Sequence, residues 1–344
     1  MKKNPVSIPH TVWYADDIRR GEREAADALG LTLYELMLRA GEAAFQVCRS
    51  AYPDARHWLV LCGHGNNGGD GYVVARLAKA VGIEVTLLAQ ESDKPLPEEA
   101  ALAREAWLNA GGEIHASNIV WPESVDLIVD ALLGTGLQQA PRESISQLID
   151  HANSHPAPIV AVDIPSGLLA ETGATPGAVI NADHTITFIA LKPGLLTGKA
   201  RDVTGQLHFD SLGLDSWLAG QETKIQRFSA EQLSHWLKPR RPTSHKGDHG
   251  RVVIIGGDHG TAGAIRMTGE AALRAGAGLV RVLTRSENIA PLLTARPELM
   301  VHELTMDSLT ESLEWADVLV IGPGLGQQEW GKKALQKVEN FRKP

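Results

Sequence analysis

The run Gly63-His64-Gly65-Asn66-Asn67-Gly68-Gly69-Asp70-Gly71 packs five glycines, two asparagines and a carboxylate into nine residues. Glycine lets a backbone come close to a ligand. An apolar stretch at 58–62 precedes the run, and Tyr72, Val73, Ala75, Leu77 and Ala78 follow at helical spacing. Between a strand and a helix, such a loop offers free N–H groups and positive partial charge to an anion, a phosphate above all. The run is not the G-x-G-x-x-G dinucleotide fingerprint, because a polar stretch follows Gly63-His64-Gly65-Asn66-Asn67-Gly68. Nor is it a Walker loop, which requires Lys and Ser or Thr after its last glycine. A tight turn with no ligand is the competing reading, but so many glycines cost chain entropy that a mere turn does not need.

Two further loops have the same character: Val129-Asp130-Ala131-Leu132-Leu133-Gly134-Thr135-Gly136 and Val162-Asp163-Ile164-Pro165-Ser166-Gly167. Each opens on an Asp at the carboxyl end of a predicted strand. In a doubly wound sheet these ends share one edge, where ligands bind. One such Asp can simply cap the next helix; three glycine-bearing loops on one edge argue for a site. Asn67, Asp130 and Ser166 offer amide, carboxylate and hydroxyl oxygens, a set suited to a hard cation. No His or Cys pair has ligand spacing. A fourth piece is Phe188-Ile189-Ala190-Leu191-Lys192-Pro193-Gly194. Lys192 reads either as a surface lysine flanking a strand or as a partner that keeps Asp163 ionised for proton transfer.

Positioning these loops requires a framework. Residues 14–50 read as helices, with Asp16 and Asp17 at a start, a break at Gly30 and a restart at Thr32. Strands are predicted at 58–62, 83–89, 125–129, 158–162, 184–191 and 206–209, and helices after Gly71, at 97–110 and at 142–152. Strand–helix–strand repetition implies parallel pairing and right-handed crossovers. The pattern predicts an α/β domain over residues 1–215: a Rossmann-like doubly wound sheet with an N-terminal helical arm.

Residues 216–245 are weakly patterned, contain Pro239 and Pro242, and read as a linker. Its basic residues Lys238, Arg240, Arg241 and His245, with Lys246 just beyond, read as solvated or as a phosphate grip. A second α/β unit occupies 246–344. It has strands at 251–255, 278–284 and 318–321, helices at 264–275 and about 327–341, and glycine-rich loops at 256–263 and 322–326. The strand expected after the last helix is missing, so this unit reads as incomplete, with an unpaired sheet edge.

Composition narrows the function classes. The 344 residues carry a net charge of −8, with 43% hydrophobic and 22% charged residues, as in ordinary globular domains. No basic stripe suits nucleic acid, and no apolar run spans a membrane. Residues 1–5 are basic but lead into no apolar core of a signal peptide. Two isolated cysteines, Cys48 and Cys62, suit a reducing, cytoplasmic setting, with Cys62 a buried small hydrophobe.

GHGNNGGDG, VDALLGTG, VDIPSG and FIALKPG, in that order over about residues 10–215, resemble the NAD(P)H-hydrate epimerase family. The resemblance implies a substrate, NADHX or NADPHX, which carries an added hydroxyl on the ring carbon beside the nitrogen. It implies interconversion of the R and S forms. It implies that Asn66, Asn67, Gly68, Gly69 and Asp70 cradle the pyrophosphate, and that Gly134, Thr135, Gly136, Leu137, Gln138, Gln139 and Ala140 contact the nucleotide. By the same resemblance Asn67, Asp130 and Ser166 hold K⁺, Asp163 faces the damaged ring with Lys192 as partner, and the chain forms a homo-oligomer.

The second region resembles the ADP-dependent NAD(P)H-hydrate dehydratase, of ribokinase-like fold, through His245-Lys246-Gly247-Asp248-His249-Gly250, Val253-Ile254-Ile255-Gly256-Gly257, Ala271-Ala272-Leu273-Arg274-Ala275-Gly276-Ala277-Gly278 and Gly322-Pro323-Gly324-Leu325-Gly326. This resemblance implies that Ala264 and Gly324 line a hydrate site, with ADP as co-substrate and Mg²⁺ as its candidate companion. The chain ends before the glycine-rich motif that carries the family's catalytic Asp and ADP loops, so dehydration is expected of a longer parent protein. Two other classes compete: a nicotinamide-dependent oxidoreductase, for which Glu91 is the one candidate to grip a ribose, and a binding module without chemistry.

Overall fold

A computed structural model of the chain describes residues 8–117, 120–122, 124–223 and 225–341; the basic segment at 1–5 lies outside them. Two compact units divide at Ser234 and His235.

The first unit opens with β1 (Thr11–Val12), α1 (Ala15–Leu29) and α2 (Leu33–Ala51). Tyr14, not an Asp, precedes the first turn of α1; Asp16 and Asp17 lie inside that turn, paired with Arg19 and Arg20. There they favour the positive end of the helix dipole. Gly30 closes α1 in the left-handed region (φ 67°), and Thr32 with Glu35 forms a reciprocal capping box at the start of α2.

The sheet strands and their crossovers follow: β2 (His57–Cys62), α3 (Asn66–Ala80), β3 (Glu84–Ala89), α4 (Glu98–Asn109), β4 (His115–Ala116), β5 (Leu127–Ala131), α5 (Glu143–Ser154), β6 (Ile159–Val162), β7 (His184–Phe188), α6 (Ala200–Val203) and β8 (Gln206–Asp210). The strands pair in parallel in the order β4-β3-β2-β5-β6-β7-β8. This is the doubly wound arrangement expected from the strand–helix alternation. The chain winds outward from β2 to β4, then returns to place β5 on the other side of β2. The carboxyl ends of β2 and β5 therefore flank the topological switch point.

All of β2 is buried, as its unbroken apolar run requires. Alternate residues serve opposite faces. Val60 and Cys62 pack with Leu36, Met37, Ala40 and Ala44 of α2. Leu59 and Leu61 pack with Ile145, Leu148 and Ile149 of α5. Each fully buried Leu contributes roughly 1.5–3 kcal/mol.

Strand β7 stops at Phe188 rather than running to Leu191. Ile189 stands at φ 65°, and Ala190 N–H donates back to Phe188 O at 2.7 Å. A β-branched residue in the left-handed region is strained, and this kink ends the ladder just before Lys192. Residues 216–234 fold with the first unit. They supply α7 (Asp215–Ala219) and β9 (Ile225–Gln226), which pairs antiparallel with β1; α8 (Ala230–Trp236) follows.

The second unit contains β10 (Arg251–Ile255), α9 (Ala262–Ala275), β11 (Leu279–Thr284), α10 (Ile289–Ala295), β12 (Met300–Glu303), α11 (Met306–Trp315), β13 (Val318–Ile321) and α12 (Glu329–Glu339). Its parallel order, β12-β11-β10-β13, again puts the first strand beside a switch point. The sequence pattern missed α10, β12 and α11: β12 is a four-residue edge strand whose last residues, His302 and Glu303, are exposed. Strand β13 forms the other edge, with Val318 half exposed.

Candidate active site at the switch point

Helix α3 begins at Asn66, so the asparagines and Asp70 form its first turns rather than a separate loop. Four N–H groups at a helix start have no intrahelical partner, and they face whatever anion approaches. The glycines make this start possible. A Cβ on Gly63 would lie 1.7 Å from Leu132 O, and one on Gly68 would lie 2.0 Å from Gly63 O. The β2–α3 and β5–α5 loops thus touch backbone to backbone, joined also by Gly63 N–H donating to Ala131 O at 2.9 Å.

Beside this contact lies a cleft of about 1040 Å³. Asn66, Asn67 and Asp70 line it from α3, and residues 134–140 from the loop after β5; Asp163 and Lys192 line it from the ends of β6 and β7. Gly68 and Gly69 lie buried beneath, against Gly63 and Met37. The cleft therefore draws lining residues from all four motifs.

Asp163 stands at φ 65°, a conformation Asp tolerates better than most residues and one that clusters at functional sites. Its Oδ1 accepts from Lys192 Nζ at 2.6 Å and from Thr187 Oγ1 at 3.3 Å. Lys192 is only 2% exposed, so the surface-lysine reading is wrong. Lys192 Nζ also donates to Thr187 Oγ1 at 2.8 Å and to Phe188 O at 3.0 Å. An ammonium has three donors, and all three are engaged.

Asp130 and Ser166 are fully buried below the cleft. Ser166 Oγ donates to Asp130 Oδ1 at 2.6 Å, and Ser166 N–H to Asp130 Oδ2 at 2.8 Å. Asp130 therefore joins two loops rather than capping a helix. Burial pushes its carboxyl up to about 6, against the hydrogen bonds from Ser166 and Leu132. Asn67 Nδ2 donates to Leu133 O at 3.1 Å, while Asn67 Oδ1 is buried with no hydrogen-bond partner. Ser166 Oγ in turn accepts from Leu133 N–H at 2.8 Å. Asn67 and Ser166 thus meet at Leu133, Asp130 joins them through Ser166 and through Leu132 N–H at 3.2 Å, and one amide oxygen is left unsatisfied. A buried acceptor without a donor is costly, and a cation would satisfy it.

The sequence reading marks Asp70 but not the state of its carboxyl, and it does not mark Glu22. Asp70 keeps one side on the cleft but is enclosed elsewhere; burial, then the charges of Asp163 and Glu22, hold its carboxyl well above the usual range. Glu22 also lines the cleft, and its carboxyl is raised by burial and then by Asp163. The signal for Glu22 was present: Ala15, Ile18, Arg19 and Glu22, at i, i+3, i+4 and i+7, form one face of α1, and all four line the cleft. At the end of β3, Gln90, Ser92 and Lys94 line the cleft, and the ribose-gripping candidate Glu91 does not.

In the second unit, Ala264 lies in the first turn of α9 and Gly324 in the loop after β13. Asp258 N–H donates to Gly324 O at 2.6 Å, and Thr261 Oγ1 to the same oxygen at 2.8 Å. Ala264 N–H donates to Thr261 O at 3.1 Å, so both residues sit at the β10/β13 switch point.

A parallel doubly wound sheet, with a helix start at its switch point and an Asp–Lys pair beside it on the same carboxyl edge, defines a Rossmann-like α/β protein with a nucleotide-sized site. Comparison with known proteins carries this to a family. Residues 33–194 match the family model described as YjeF-related protein N-terminus, and residues 252–344 match that of NAD(P)H-hydrate dehydratase. The chain belongs to the family of bifunctional NAD(P)H-hydrate repair enzymes. It is 99% identical, over its whole length, to 67% of the Escherichia coli enzyme Nnr, and 49% identical to the Leishmania braziliensis enzyme over 94% of this chain and 61% of that one. It thus spans about two thirds or less of the length of these relatives. The crystal structure of the yeast protein ynu0 shares the fold, with a TM-score of 0.50 and 23% identity over 58% of this chain and 86% of that one.

Proposed function

We propose that the first unit epimerises hydrated NADH and NADPH, interconverting the R and S forms. The observation that carries this reading is the Asp163–Lys192 pair, at 2.6 Å, in a cleft that also holds the start of α3. In this reading Asn66, Asn67, Gly68, Gly69 and Asp70 hold the pyrophosphate, and Gly134, Thr135, Gly136, Leu137, Gln138, Gln139 and Ala140 enclose the nucleotide. Asp163 meets the damaged ring as the proton-transfer group. Because its donors are all occupied, Lys192 acts through Asp163: its hydrogen bond fixes Oδ1 in place. Supplying the pure R hydrate and following the appearance of S tests the reading.

The same site would bind K⁺ through Asn67, Asp130 and Ser166. The unsatisfied Asn67 Oδ1 and the carboxyl of Asp130 suit an oxygen-seeking cation. Bound there, K⁺ would compensate the buried Asp130 charge and brace the loop after β5 against α3.

For the whole protein we include ADP-dependent dehydration of the S form, with Mg²⁺ accompanying the nucleotide and Ala264 and Gly324 at the hydrate site; the match of residues 252–344 supports it. Among the described residues no helix is long and apolar enough to cross a membrane. Cys48 and Cys62 are free and buried, which supports a cytoplasmic setting. Self-association completes the reading, and light scattering tests it.

A further inference from the structure

We propose that Glu22, on the cleft face of α1, is the second proton-transfer group of this site, acting from the helical arm while Asp163 acts from the sheet edge. The inference rests on the epimerase reading above. In that reaction the hydroxyl leaves one face of the ring and returns to the other, so one group must deliver a proton and another must receive one. Asp163 cannot swing between faces, because Lys192 and Thr187 hold its Oδ1. Asp70 lies in the first turns of α3, among the residues given to the pyrophosphate. Glu22 lines the cleft and couples to both Asp163 and Lys192; Glu99, in the first turn of α4, also lines the cleft and couples to Glu22.

The arm is fixed where this role requires. Val12 bridges to Leu191, and Trp13 N–H donates to Leu191 O at 2.8 Å, one residue from Lys192. Ala15 N–H donates to Glu171 Oε1 at 2.8 Å. Gly21 packs against Trp217 so tightly that a Cβ would lie 2.3 Å from the ring. The charged groups around Glu22 sort cleanly. Burial, Asp163 and Glu99 favour its protonated form, while Lys192 and Arg23 oppose it; Asp70 couples to it as a further acid, and Arg19 lines the same face.

In the forward direction the Glu22 carboxyl gives its proton to the ring hydroxyl oxygen. The carbon–oxygen bond breaks, its electron pair leaves with water, and the ring nitrogen lone pair forms a C=N⁺ bond. Water then adds to the opposite face, the C=N pair returns to nitrogen, and the Asp163 carboxylate takes the water's proton. The reverse direction exchanges the two roles, and solvent exchange resets both carboxyls between turnovers.

The test compares wild type, Glu22→Gln and Glu22→Asp in the full chain, reading R-to-S conversion against pH after subtracting the uncatalysed rate. Glu22→Gln should lower kcat by about 100-fold or more with KM little changed. It should also lose the decline in kcat that wild type shows as Glu22 deprotonates with rising pH, and Glu22→Asp should restore part of both. A Glu22→Gln enzyme with wild-type kcat and pH profile overturns the assignment while leaving the epimerase reading intact. A wild type that interconverts nothing overturns the epimerase reading, and the assignment with it. Should Glu22→Gln not melt cooperatively, the wild-type profile decides: a kcat that stays flat over about pH 5–9 overturns the assignment.

Discussion

Lys192 Nζ lies 2.6 Å from Asp163 Oδ1, and the two come from the ends of adjacent parallel strands, β7 and β6. The lysine is buried and the carboxylate mostly so. Removing one partner of such a pair strands the other charge, at a cost of about 3–5 kcal/mol. Lys192→Met should therefore lower stability by that order in denaturant melts. It should also cut kcat for epimerisation by about 100-fold or more, with a smaller change in KM. A variant with full kcat would show that Asp163 does not need its cation.

The contact between the first two loops predicts opposite outcomes for two neighbouring glycines. Gly63→Ala drives a methyl into Leu132 O, where a Cβ would lie 1.7 Å away, so the loops must separate. Its melting temperature and its affinity for a pyrophosphate ligand should both fall. Gly65→Ala meets nothing within 4 Å, so calorimetry should find binding close to wild type.

The cation set predicts selective stabilisation. Replacing tetramethylammonium with K⁺ should raise the melting temperature, since a ligand that binds only the folded state at 100 times its Kd adds about 2.7 kcal/mol. Asn67→Ala should weaken the response and Asp130→Ala should abolish it. Equal melting in both salts would exclude the site.

Asp70 predicts a pH dependence with a definite sign. Its folded carboxyl holds a proton well above the ordinary value of 3.8. Between the unfolded and folded pKa values the native state binds more protons, so stability falls as pH rises from about 4. Asp70→Asn keeps the shape without the charge. Its stability should therefore decline less over that range and exceed wild type at neutral pH, as read from urea midpoints.

Much of the site was legible because strand ends and glycines leave local marks. The strands β2, β5 and β6 read as apolar runs, and each handed a polar loop to the same edge. Lys192 was ambiguous, because no local pattern separates a lysine beside a strand from one folded under it. The kink at Ile189 decides that, and φ is not written in composition. Glu22 was passed over because a glutamate in a charged helix normally faces water; the role of its face emerges only when the arm docks through Trp13 and Leu191. The pairing of two-residue β1 with β9 has no readable period, so residues 216–234 looked like a linker. Strand β12 was missed for a similar reason: at a sheet edge, a short strand with charged residues carries little apolar signal.

Epimerisation itself tests the central claim most directly. Purified chain is mixed with the pure R hydrate of NADH or NADPH in K⁺ buffer, and the S form is followed by chromatography beside an Asp163→Asn control. The account predicts rapid approach to the R/S equilibrium with wild type and a rate near the uncatalysed one with Asp163→Asn, while that variant still binds the hydrate. Failure of wild type to exceed the uncatalysed rate, or undiminished turnover in Asp163→Asn, would contradict it.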